Sequence, residues 1–321
     1  MKHLLSLEEC TGAELRGILD RVPAFKRNRA THARPLAGQT WALIFSKSST
    51  RTRVSFEVGL RELGAEVLFL NAADIQLGRG EPIRDTARVL GRMLHGAVIR
   101  TFAQADVEEF ARYSGIPTIN ALTDDEHPCQ ILTDIFTYEE LRGEPITGRT
   151  VTFIGDGACN VPVSWLWAAA RLGFELRIAA PRAYWPAEAI VRRAAATGPT
   201  PWAGYQDTQV VERVPIGQGT LELLTDVRLA ARRADLLYTD VWVSMGREAE
   251  AARRVQDLSG YQIHAELVGL ARPGALVMHC LPAYRGKEID EATFEAHAAT
   301  IFTEAENRLH TQKAIVDWLL A

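Results

Sequence analysis

The 321-residue chain has four cysteines, Cys10, Cys129, Cys159 and Cys280, and they are scattered without paired spacing. That excludes a disulfide framework and matches no common zinc pattern. No apolar run reaches the ~20 residues that span a bilayer. The first nine residues turn acidic at Glu8 and Glu9, too early for a signal peptide. A reducing, cytoplasmic setting is therefore expected. Nor is one sign of charge in excess: 36 basic against 40 acidic side chains leave a net charge of −4. Nothing in that balance favours nucleic acid or a membrane surface as partner. Internal repeats and low-complexity tracts are also missing. What the chain does have is 47% hydrophobic residues, enough for two domains with separate cores.

Short apolar runs alternate with longer helical patterns. Strands are expected at 41–45, 66–70, 97–102 and 118–122, and again at 151–154, 175–179, 235–238 and 275–278. Helical periodicity lies between them, at 54–63, 85–93, 106–113, 133–142 and 163–172, and an amphipathic helix is expected over 307–320. Continuous apolar strands separated by helices predict an α/β fold with mostly parallel sheets covered on both faces. Gly143-Glu144-Pro145 breaks a helix and marks a domain boundary. The stretch 199–225, rich in Gly, Pro and polar residues, reads as irregular connection.

Nearly every expected strand runs into a polar cluster at its carboxyl end, where open α/β sheets bind ligands. The first strand leads to Ser48-Ser49-Thr50-Arg51-Thr52-Arg53, a strand–turn–helix junction with hydroxyls and guanidiniums. A helix N-terminus attracts anions, and arginine forks match phosphate oxygens. Arg51 is the stronger candidate, because Arg53, two residues along, points to another side. Lys47 is expected to add field without direct contact. Arg100 and His127 extend a donor-rich set suited to a phosphate and a polarised carbonyl. The second half offers 155–160, 240–246 and 279–282. Asp240 there can hold an ammonium or cap a helix.

Other chemistries fit less well. Gly155-Asp156-Gly157 lacks the third glycine of a dinucleotide turn, and Glu175 opens the next strand instead of ending it. Neither a nicotinamide cofactor nor a metal is therefore expected. Cys280 as nucleophile needs a nearby base. His279 is adjacent, but strand alternation sends it to the opposite face.

In this order, the clusters resemble the aspartate/ornithine transcarbamylase family, and within it the ornithine carbamoyltransferases. The matching elements include Ser48–Arg53, Gln76-Leu77-Gly78, His127-Pro128-Cys129-Gln130, Asp240-Val241-Trp242-Val243-Ser244-Met245-Gly246, His279-Cys280-Leu281-Pro282 and Glu306-Asn307-Arg308-Leu309-His310. The resemblance implies a carbamoyl-phosphate domain over 1–143, an ornithine domain over 144–306, and a helix over 307–321 packing back on the first domain. It implies that Ser49, Thr50, Arg51, Thr52, Gln76, Arg100, His127, Gln130 and Arg308 bind carbamoyl phosphate, with Gln76 reaching over from a neighbouring subunit of a trimer. Asn160, Asp240, Ser244, Met245, Cys280 and Leu281 would bind ornithine. Arg51, Arg100, His127 and Cys280 would be the catalytic set, with no cofactor and no metal. The chain departs from the family pattern at Cys159, where asparagine is usual, and Pro162 follows closely. The implied reaction forms citrulline and phosphate in arginine metabolism. An acylated ornithine or putrescine as acceptor, or a non-catalytic binding relative, are the alternatives.

Overall fold

The structure is a computed structural model and describes residues 1–72, 80–205 and 211–321. Its chain divides into two units: residues 1–136 with 306–321, and residues 137–305. The first unit opens with α1 (Gly12–Leu19), started by a reciprocal Thr11/Glu14 capping box, and α2 (Val22–Arg27). Then follow β1 (Thr40–Phe45), α3 (Thr50–Glu62), β2 (Glu66–Asn71), α4 (Ile83–Leu90), β3 (Gly96–Arg100), α5 (Gln104–Ser114), β4 (Thr118–Leu122) and α6 (Pro128–Arg142).

The four strands form one parallel sheet in the order β2-β1-β3-β4. β1 is central and apolar, with Trp41 to Phe45 all buried, as a strand covered on both faces requires. Trp41 sits opposite Gly96 on β3. A Cβ at Gly96 would lie 2.5 Å from the indole ring, so only glycine fits beneath it. Ala42, Ile44, Ala97 and Ile99 pack with Val107 and Phe110 of α5.

The second unit continues with β5 (Thr150–Ile154), α7 (Asn160–Leu172), β6 (Glu175–Ala179), α8 (Glu188–Ala196), β7 (Val211–Ile216), β8 (Gly219–Leu224), α9 (Val227–Ala231) and β9 (Leu236–Thr239). After these come α10 (Ala251–Leu258), α11 (Ala265–Val268), β10 (Leu276–His279), α12 (Glu291–Ala296) and α13 (Ala298–Leu320). The six-stranded sheet has the order β10-β9-β5-β6-β8-β7 and is parallel except for β7. Ile154, Ala179, Leu237 and Val277 on one face pack with helical side chains such as Ala230, Leu267 and Phe294.

The sequence-based expectation for 199–225 is overturned in part. Residues 211–224 form an antiparallel hairpin, β7 to β8. Pro215 argued against a strand, but β7 lies at the sheet edge, where proline is tolerated. Gly217 makes the turn at φ +48, with its α-carbon side pressed towards the Ala170 carbonyl. Two helices also run longer than expected: α6 starts at Pro128 and α13 at Ala298.

The C-terminal helix packs on the first unit, at α3. Gly59 leaves room for it: a Cβ there would stand 3.3 Å from Lys313 Cγ. The buried Lys313 ammonium donates to Glu62 at 2.7 Å. No helix among the described residues is long and apolar enough to cross a membrane.

Candidate active site

The strand–turn–helix junction between β1 and α3 forms as the sequence predicts. Ser49 is the N-cap of α3, its hydroxyl accepting the Thr52 N–H at 3.3 Å. Thr50 and Arg51 therefore occupy the first turn, where backbone N–H groups point outward and the helix dipole is positive. Thr52 is buried. Its hydroxyl accepts from Arg308 on α13 at 3.1 Å, and the same guanidinium donates to the Gln130 amide oxygen. Gln130 in turn donates to Asp134 at 2.7 Å. Arg308 is 2% exposed. Its Nε has no hydrogen-bond partner among the described residues, so donor capacity remains for a ligand.

Arg100 ends β3 and His127 precedes α6, both buried. The His127 imidazole is held well below its ordinary pKa, first by burial and then by the charges of Arg308, Arg100 and Arg51. All three guanidiniums are near enough for their charges to act on the ring. A neutral imidazole there can donate a hydrogen bond without adding charge. The NMR signals of this ring should show no protonation step between pH 8 and 6, and an ordinary step near 6.5 would contradict the geometry. Because the unfolded chain protonates its histidine first, this site should cost stability as pH falls below about 6.5.

Two neighbours of the β1–α3 turn lie against aromatic rings. Lys47 makes direct contacts: its buried ammonium pairs with Asp124 and lies 4.4 Å from the Phe102 ring centroid. It thereby joins that turn to the loop before His127. Arg53 is exposed and stacks 3.6 Å from the Phe69 ring centroid. Gln76 lies outside the described residues.

In the second unit, Asp240 follows β9. Its Oδ1 accepts from the Val241 N–H at 2.7 Å and from the Cys280 thiol at 3.0 Å. Burial is the main cause raising its pKa. Cys280 lies just past β10, where strand alternation no longer applies. His279 consequently does not turn away: ligand atoms of Asp240, His279 and Cys280 all fall within 4.8 Å. Both imidazole nitrogens are engaged, Nδ1 by the Leu281 N–H at 2.9 Å and Nε2 with Glu288 at 3.3 Å. That leaves the ring no free lone pair for a metal. Leu281 is held at φ +59, a conformation uncommon for a branched residue.

Asn160 begins α7, so Pro162 falls in the first helical turn, where a missing N–H costs nothing. Cys159 is the N-cap residue, its thiol pushed well up by burial and then by Asp156 and Asp240. Ser244 is half-buried, and Met245 is exposed before Gly246, which turns the chain at φ +90.

Sequence reasoning missed Arg254. Its buried guanidinium donates to Asp156 at 2.6 Å, to the Trp242 carbonyl at 3.4 Å and, through Nε, to Glu250 at 2.9 Å. It links the 155–160 turn to the segment after Asp240. A lone arginine on an amphipathic helix carries no sequence signal for such a role.

Each unit thus gathers polar side chains at the carboxyl ends of its strands, Thr52, Arg100, His127 and Gln130 with Arg308 in the first and Asp240 beside Cys280 in the second. The chain belongs to the aspartate/ornithine carbamoyltransferase family. Residues 2–140 match its carbamoyl-P binding domain and residues 147–319 its Asp/Orn binding domain. It is 52% identical over 318 residues to ornithine carbamoyltransferase of Akkermansia muciniphila, covering 98% of this chain and 97% of that one. The Campylobacter fetus enzyme is 44% identical, at 99% and 98% coverage. Among solved structures, anabolic ornithine carbamoyltransferase from Campylobacter jejuni superposes with a TM-score of 0.88 at 38% identity, covering 99% of both chains. The Pyrococcus furiosus ornithine carbamoyltransferase gives 0.85 at 40% identity, with 98% and 96% covered.

Proposed function

We propose that this protein transfers the carbamoyl group of carbamoyl phosphate to the side-chain amine of L-ornithine, releasing L-citrulline and phosphate. The observation that carries the reading is the buried Arg308 guanidinium bonded to both Thr52 and Gln130, with Arg51 and Arg100 near enough for their charges to act on the buried His127. Full-length similarity to ornithine carbamoyltransferases supports the same reaction.

The α3 N-terminus with Ser49, Thr50, Arg51 and Thr52 takes the phosphate, and Arg100 bridges phosphate and carbonyl. Arg308 fixes Gln130 against the carbamoyl amide. An alkyl ammonium has a pKa of about 10.4 and must lose a proton before attack. Asp240 takes the α-ammonium, aiming the δ-amine at the carbonyl carbon, while Asn160, Ser244 and Met245 hold the amino-acid end. Cys280 and Leu281 flank the δ-nitrogen. Attack forms the new C–N bond, and Arg100, His127 and Thr52 stabilise the tetrahedral oxyanion. The C–O bond to phosphate then breaks, Arg51 stabilises the leaving group, and the amine proton passes to it. Positioning and electrostatics supply the catalysis.

A trimer completes each site with Gln76 from a neighbour. In support, β2 is a half-exposed edge strand and Leu68 on it is exposed. The setting is a cytoplasmic arginine-synthesising pathway. Steady-state assays with ornithine, putrescine, acetylornithine and succinylornithine test the acceptor. Turnover with ornithine, far above the other three, is expected. No citrulline from ornithine would sink the reading. Sedimentation of the full chain at trimer mass tests the assembly.

A further inference from the structure

Glu126 immediately precedes His127 and is 4% exposed, with no basic side chain bonded to it among the described residues. Its carboxylate is held by the N-terminal segment instead. Oε1 accepts the Ser6 hydroxyl and Oε2 accepts the Leu7 N–H at 2.9 Å. Ser6 Oγ also accepts the Glu8 N–H at 2.9 Å. The segment is anchored just before this grip. Leu4 bridges Ile119 of β4 in parallel, and its N–H and C=O bond Thr118 and Asn120 at 3.0 and 2.7 Å. The loop is pinned on its other side by Thr123, whose N–H donates to the Glu126 carbonyl at 2.9 Å while its hydroxyl accepts the Glu126 N–H at 3.1 Å. The Ser6 hydroxyl and the Leu7 N–H both donate to this carboxylate, which suits the ionised form.

We infer that Glu126 is a positioning residue for the carbamoyl-phosphate site: its carboxylate clamps residues 6–8 and so fixes the turn that presents His127 and starts α6. The inference rests on the functional reading above. Neither residue 6 nor residue 126 touches substrate. They act through the backbone that His127 and Gln130 share.

The clamp is also sensitive to pH. Burial lifts the Glu126 pKa to about 7, opposed by the bonds from Ser6 and Leu7 and assisted by the charge of Glu8. Protonation replaces one acceptor with a donor facing other donors, so the grip loosens as pH falls through that range.

The test compares wild type, Glu126→Gln and Ser6→Ala in steady-state kinetics from pH 6 to 8.5, with melting curves to establish folding. At pH 8, Glu126→Gln should lower kcat/KM for carbamoyl phosphate about tenfold, the scale of a lost charge-assisted hydrogen bond, with the KM for ornithine unchanged. The ratio of wild type to variant should shrink towards unity near pH 6, because the wild-type clamp is then protonated too. Ser6→Ala should shift the same constant in the same direction by a smaller factor. A merely structural role would give a ratio independent of pH, or would raise both KM values alike, and either outcome overturns the inference. If Glu126→Gln fails to fold, the Ser6→Ala comparison decides alone. Wild type that does not turn over ornithine would instead refute the functional reading. In that case, calorimetric binding of carbamoyl phosphate by the same variants still reads the clamp.

Discussion

Replacing Arg51 by alanine is expected to lower kcat/KM for carbamoyl phosphate by about three orders of magnitude, the scale of an arginine that neutralises charge on a departing phosphate. The residue stands in the first turn of α3, after the Ser49 cap. Its guanidinium therefore adds to backbone N–H groups already aimed outward. The positive field it contributes reaches His127. Arg51→Lys keeps the charge but loses the planar fork, so it should recover only part of the loss. Because Arg51 is half-exposed, neither variant should move the melting temperature much. Normal phosphate release by Arg51→Ala would refute the assignment of this turn.

Asp240→Asn should have opposite effects on activity and stability. The asparagine oxygen can still accept from Val241 and Cys280, which both bond Oδ1. Geometry is kept and charge is lost. The kcat/KM for ornithine should fall by about a thousandfold, as in sites whose buried partner for a substrate's polar group is removed, while the KM for carbamoyl phosphate stays. The folded protein should be no less stable at pH 8. Burial raises the Asp240 pKa. A raised carboxyl pKa means the folded state loses stability as pH rises through the range above the unfolded value of about 3.9. Asparagine removes that cost. Ornithine kinetics unchanged, with melting lowered by many degrees, would recast Asp240 as a structural residue.

Much of this architecture was legible from local pattern. Apolar runs such as 41–45 and 151–154 became central parallel strands because nothing but burial on both faces accommodates them. The hairpin of β7 and β8 was not legible. Its edge position, which excuses Pro215, is a property of the sheet and not of the segment. α13 was legible only in part, because 304–313 is polar yet buried: Glu304, Asn307, Arg308, His310 and Lys313 are all nearly inaccessible. Hydrophobic periodicity cannot mark such a face. The site divided in the same way. Arg51 and Asp240 stood out as charges at strand ends. Lys47, Glu126 and Arg254 did not, since their partners lie far away in sequence, Asp124, Ser6 and Asp156 respectively.

The first unit is discontinuous in sequence, and that has a consequence during synthesis. Ribosomes add about 5–20 residues per second, and domains generally fold as units in the order they emerge. Here residues 137–305 can emerge and fold while Thr52 and Gln130 still lack Arg308 and α3 lacks Lys313. Nascent protein must therefore hold an unfinished first unit, with Glu62 and Gln130 awaiting their cations, until 306–321 arrive. Slowing translation late in the message should lengthen that interval and favour chaperone capture. Slowing it earlier should matter less.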